Sequence, residues 1–153
     1  MLYYALCGTA ALNDLENLYV HNSALGSAVG MLKAGKPDYG APQDFGMFSL
    51  VNQNDPHASE EVPVSTIDSL ALPRLDFLKI DVEGMEIEVL KGARETIRTW
   101  KPWCWIEYWK VDVNAIAAQF GDLGYNFYTM DQLNLLCAPV ERLNASSLNI
   151  VPE

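Results

Sequence analysis

The sequence predicts an α/β fold in which a mainly parallel sheet is covered by helices on both faces and finished by an antiparallel C-terminal hairpin. Three observations predict it. Short apolar runs of period two take turns with helical repeats along most of the chain, the pattern of βαβ units. Residues 125–130 and 133–138 form two strand-like runs separated only by Asp131-Gln132, which reads as a hairpin. Half of the 153 residues are hydrophobic and only 20% are charged, enough apolar surface for one ordered domain spanning 1–153.

The elements follow in order. Leu2, Leu6 and Ala10 recur at helical spacing, so an amphipathic helix is expected, ending near Asn13-Asp14. The first basic residue is Lys33, so this apolar start lacks the positive region of an export signal. No run approaches membrane-spanning length. Residues 18–22 read as a strand, Ser23-Ala24-Leu25-Gly26 as the turn leaving it, and residues 28–32 as a second short strand. Residues 35–61 carry Gly35, Pro37, Gly40, Pro42, Gly46 and Pro56 among Asp and Asn, which makes them a long loop: a lid over a site, or a plain surface excursion.

Residues 62–64 look extended, and Thr66 is placed to cap a short helix through Leu70. A clear strand at 76–81 is broken by Gly84; helices at 85–91 and, after Gly92, up to 99 follow. Pro102 precedes a strand at 103–108. Asp112 is the expected cap of a helix at 113–123, with Ile116, Ala117, Phe120 and Leu123 on one face and Gly124 as its stop. Beyond Pro139 the chain is rich in Ser and Asn as far as Leu148; Asn144-Ala145-Ser146 matches a glycosylation acceptor, a match without meaning in a cytoplasmic chain.

Charge narrows the partners. A net charge of −10 without any cluster of Lys and Arg argues against a nucleic acid and for a small or weakly charged molecule. Cys7, Cys104 and Cys137 are odd in number and without ligand spacing, so neither a zinc site nor a disulfide framework is indicated; reduced, buried thiols in the cytoplasm are expected.

The chemistry concentrates in residues 77–84. Period two puts Phe77, Lys79 and Asp81 on one face of the strand and Leu78, Ile80 and Val82 on the other. A strand inside a two-sided sheet is apolar on both faces, so Lys79 and Asp81 must pair or face a crevice. Asp81 stands at the carboxyl end, where open parallel sheets bind ligands. It is a site residue or a member of an ion pair; Glu83 is a site residue or a favourable charge at a helix N-terminus. Lys79 reads as a structural partner of a carboxylate.

Glu107 ends the next strand, and if the two strands are parallel neighbours it lies close to Asp81. Together they suit accepting a hydroxyl proton or holding a cation; a solvated or salt-bridged Glu107 is the alternative. His21 and His57 have no partner in sequence, and Trp100, Trp103, Trp105 and Trp109 read as core packing before a cofactor cage.

These residues carry a resemblance. Val64-Ser65-Thr66-Ile67-Asp68-Ser69-Leu70, the block from Asp76 through Lys79-Ile80-Asp81-Val82-Glu83-Gly84 to Glu86, then Glu88-Val89-Leu90-Lys91-Gly92-Ala93, Lys101-Pro102 and Glu107 resemble the FkbM family of S-adenosylmethionine-dependent methyltransferases. Residues 13–26 look like the family's third-strand region, and Phe45-Gly46 with Ser49-Leu50 like a loop of some members. The resemblance implies a Rossmann-like methyltransferase sheet and O-methylation of a small molecule or sugar. It implies adenine beside Ser23, Ala24 and Leu25, and the methyl donor and acceptor beside Asp81, Val82 and Glu83.

One departure bears on everything else. Family members open with a strand, a Gly-rich turn, a helix and a second strand ending in an acidic residue; before Leu18 this chain has one helix and no Gly-rich turn. Those two strands normally lie between the third and fourth, so the expected sheet lacks its first two strands and is cut in its middle. The expectation is an N-terminally truncated chain, a domain completed by another polypeptide or by a second copy, or a non-catalytic module that dimerises through exposed sheet edges. Metal-assisted hydrolysis by Asp81, Glu83 and Glu107 is a third reading, without a histidine nearby.

Overall fold

The structure, a computed structural model, describes residues 2–35 and 60–143. Helix α1, Leu2–Leu12, stops where the sequence expects. Asp14 takes a left-handed backbone (φ 52°), and the Leu15 N–H donates to the Ala10 carbonyl. The expected amphipathic character is absent: α1 has no charged residue and none of its residues is buried, with Tyr4 73% and Leu12 87% exposed.

The strand expected at 18–22 does not form. Leu18 and Tyr19 are exposed and pair with no strand among the described residues; the first strand is β1, Ala24–Leu25. The second short strand lies two residues later than expected, at β2, Gly30–Ala34. Strand β3, Glu60–Ser65, runs between them, parallel to β1 (Ala24 opposite Val64) and antiparallel to β2 (Leu32 opposite Val62). Residues 36–59, nearly all of the expected 35–61 loop including His57 and Phe45-Gly46, lie outside the described residues, as does the chain from 144 on.

A second sheet begins at β4, Phe77–Ile80, which pairs in parallel with β5, Trp103–Glu107. Strands β6, Tyr125–Thr129, and β7, Asn134–Pro139, form the expected hairpin, with β7 inserted next to β5 to give the order β4-β5-β7-β6. Between them lie helices α2, Glu86–Lys91, α3, Arg94–Trp100, and α4, Val113–Phe120; α5, Val140–Leu143, follows β7. Asp112 caps α4 by accepting from the Asn114 N–H at 2.9 Å.

Two expectations about the sheet are corrected. There are two sheets among the described residues, and of their five strand pairings two are parallel and three antiparallel, so the fold is mixed. The reason is local: β2 and β7 each reach their neighbour after a reversal of direction, and only β1·β3 and β4·β5 are joined by crossovers. Nor is the second sheet symmetrically covered. Ile80, Cys104 and Ile106 point into one core with Val89, Leu90 and Ile97 of α2 and α3 and Ile116 and Phe120 of α4. The alternate residues of β4, Phe77 and Lys79, are exposed, and Trp103 and Trp105 beside them are half-buried.

One seam ties the sheets together. After β3, Thr66 and Ser69 bond reciprocally and begin a 3-10 turn, Asp68–Leu70. The Asp68 N–H donates to the Gly92 carbonyl, and its carboxylate accepts from the Thr96 and Glu95 N–H groups, closing the orphan donors at the start of α3. Gly92 is required there for closeness: a Cβ on it would lie 2.0 Å from the Gly26 carbonyl oxygen at the exit of β1.

Candidate functional site

The site is built by the ends of two neighbouring strands. Lys79 stands opposite Trp105 and Ile80 opposite Ile106, so the next residues, Asp81 and Glu107, leave β4 and β5 side by side. Residues 81–84 then turn into α2. Val82 points inward and packs against the core, while Asp81 stays on the outer face. Glu83 has φ 56° and Gly84 φ 107°; the left-handed step is natural for glycine and strained for glutamate. That turn swings the Glu83 carboxylate back, and oxygens of Asp81, Glu83 and Glu107 all lie within 4.8 Å of one another.

Three like charges so close need neutralising, and the structure supplies it. Lys79 Nζ contacts Asp81 Oδ2 at 2.6 Å, the structural role the sequence suggests for it. Lys110, from the loop after β5, pairs with Glu83, whose side chain is only 10% exposed, and its ammonium also lies 4.4 Å from the centre of the Trp109 ring. Asp81 and Glu107 share a hydrogen bond. The Lys79 ammonium, and after it this bond, hold the Asp81 carboxyl below its ordinary value. The bond to Asp81 raises that of Glu107, with burial and the charges of Asp81 and Glu83 adding to it. The two carboxyls therefore titrate as a coupled pair, Asp81 shifted down and Glu107 shifted up.

The arrangement can hold a hydroxyl group and accept its proton. It can also be described as a carboxylate set of cation-binding type, but the ammonium groups of Lys79 and Lys110 already lie against two of the three carboxylates.

The proposed cofactor-side residues sit elsewhere. Ala24 and Leu25 form β1, an edge strand, with Ser23 half-buried before it. Ser23 and Ala24 line a groove of about 270 Å³ with Leu2 and Leu6 of α1, Val20 and Val62. Leaving β1, the chain meets α2. Ser27 bonds Glu88 and, behind the Lys91 ammonium, helps hold that carboxyl low; Gly26 abuts Gly92 and lies near Met85. The exits of β1 and β4 thus converge on one helix, the first along its side and the second at its start.

Sequence reasoning missed Lys110 and Glu86. Glu86 is 3% exposed and accepts the Gly84 N–H through Oε1 at 3.0 Å. The available signals were a cation three residues beyond Glu107 and an acidic residue in the first turn of a helix that follows glycine.

Comparison with known proteins agrees with this architecture. The crystal structure of a methyltransferase FkbM from Methylobacillus flagellatus KT superposes with a TM-score of 0.54 at 22% identity, over 89% of this chain and 32% of that one. This likeness speaks for the fold, and the chain spans about a third of the length of that protein. Curated protein sequences give no match. The profile of the methyltransferase FkbM domain, however, matches residues 2–127, nearly all of the chain up to the closing hairpin. The chain belongs to the FkbM methyltransferase domain family.

Proposed function

We propose that this domain serves S-adenosylmethionine-dependent methyl transfer to the hydroxyl of a small molecule or sugar, with Asp81 and Glu107 at the acceptor. The observation that carries this reading is the carboxylate group at the carboxyl ends of two adjacent parallel strands, in a chain of methyltransferase family. When bound, the cofactor supplies an electrophilic methyl group on a sulfonium. The protein's own part is to hold the acceptor oxygen in line and to take its proton. Asp81 accepts that proton at a carboxylate oxygen, with Glu107 beside it and Lys79 keeping Asp81 in position. Glu83, paired with Lys110, adds negative potential nearby.

The described residues fit the acceptor end of such a reaction better than the whole cofactor. The groove beside Ser23 and Ala24, at about 270 Å³, has room for an apolar ring. It is smaller than the roughly 300–1,000 Å³ of ordinary small-molecule sites. Completion of the cofactor pocket by another polypeptide or by a second copy is therefore part of the proposal. It is supported by β1 and β4 both being sheet edges among the described residues. The cytoplasm remains the proposed compartment, in keeping with three unpaired cysteines.

Calorimetric titration with S-adenosylmethionine tests the reading. Weak binding of the chain alone, strengthened by a complementing polypeptide, is expected; a well-folded sample without binding at millimolar ligand under either condition rejects it. A second reading, a non-catalytic module that dimerises through its sheet edges, is favoured by the uncovered α1. A strict monomer in sedimentation removes it.

A further inference from the structure

Glu86 is a buried acid that the methyl-transfer reading does not use. One carboxylate oxygen accepts the Gly84 N–H at 3.0 Å; the other, Oε2, is buried with no hydrogen-bond partner among the described residues. An unpartnered buried carboxylate oxygen opposes folding, and an apolar residue of the same bulk would not carry that cost. The one bond Glu86 does make has a specific target. Gly84 is the second residue of the left-handed step that turns Glu83 back toward Asp81 and Glu107.

We propose that Glu86 is a positioning residue for the carboxylate site: by fixing the Gly84 N–H it locks the Glu83-Gly84 turn and so keeps Glu83 within reach of Lys110, Asp81 and Glu107. Glu83 at φ 56° lies in a region that non-glycine residues leave unless something holds them there. The Lys110 ammonium at the tip of the side chain and the Glu86 carboxyl through the following peptide both hold it here. The inference rests on the acceptor-site reading only for its meaning in catalysis; the geometry it concerns is independent of any ligand.

The test is carboxyl titration by NMR in the full chain, without ligand, so it is separate from the cofactor titration. Glu107 is the reporter, because Asp81 and Glu83 raise its titration midpoint while Lys79 lowers it. E83Q gives the size of the Glu83 contribution. E86M keeps the bulk of the side chain and removes the acceptor, so the turn relaxes. Its Glu107 midpoint is expected to fall by most of the E83Q shift. E86Q retains an oxygen for the Gly84 N–H and is expected to leave Glu107 near its original midpoint.

A purely structural Glu86 would change the melting temperature without moving Glu107, and that result overturns the proposal. So does an E86Q shift as large as that of E86M, which would make the effect one of direct charge. Should E86M fail to fold, the unmodified chain still decides: the Gly84 amide is expected to be protected from hydrogen exchange, and exchange at the rate of an open loop overturns the lock.

Discussion

Lys110 makes two contacts at once, its ammonium bonded to the Glu83 carboxylate and lying over the Trp109 ring. Its removal leaves a carboxylate with a side chain 10% exposed facing two other acids. K110M is therefore expected to cost about 1 kcal/mol in denaturant unfolding. K110R recovers part of it. Asp81 and Glu107 respond to pH with opposite sign. Asp81 titrates below its ordinary value in the folded chain, so its contribution is present above that value and lost as pH falls through the lowered one. Glu107 titrates above its ordinary value, so its contribution is present below that value and lost as pH rises through the raised one. Asp81 and Glu107 were legible in the sequence because a charge at the end of an apolar strand has few places to go. Lys110 and Glu86 were not, because their positions depend on a turn whose left-handed glutamate no local pattern announces.

Among the elements, the closing hairpin has its own acid switch. Asp131 accepts from the Leu133 and Asn134 N–H groups, both at 2.7 Å, and from the Asn134 side chain, bonds that fix the reversal between β6 and β7. The backbone bond from Leu133 and then the Asn134 side chain hold this carboxyl below its ordinary value. Its stabilisation is thus complete at neutral pH and lost as pH falls through the lowered value. In D131N, whose amide accepts less strongly, the hairpin is expected to melt earlier at neutral pH. Acid unfolding followed by circular dichroism should show a shallower loss below about pH 4 than in the parent. This hairpin, α4 and its Asp112 cap were all readable because neighbours in sequence make them. The first strand was not: residues 18–22 have strand composition, but the pairing partner, β3, lies some forty residues on and meets the chain only at Ala24–Leu25.

For the whole molecule, the decisive contact is the seam at Gly92. The three-stranded sheet is joined to the four-stranded one where the Gly26 carbonyl lies against Gly92 and Asp68 caps α3. G92A would push a methyl group against a backbone oxygen, and overpacking of this kind costs about 1–3 kcal/mol. The expected signature is selective: faster hydrogen exchange at Gly26, whose N–H bonds the Ser65 carbonyl, and at Asp68, with β5 and β7 still protected. Uniform loss of protection would mean that the two sheets unfold as one. The exposed α1 was not legible in the sequence, since Leu2, Leu6 and Ala10 keep the spacing of a buried face. Strand β4 remains at a sheet border, with Phe77 55% exposed on its outer face. Lys79 is the lone charge of Phe77-Leu78-Lys79-Ile80, so the ammonium that steadies Asp81 also guards this border, hindering fibre-like stacking of one chain upon the next.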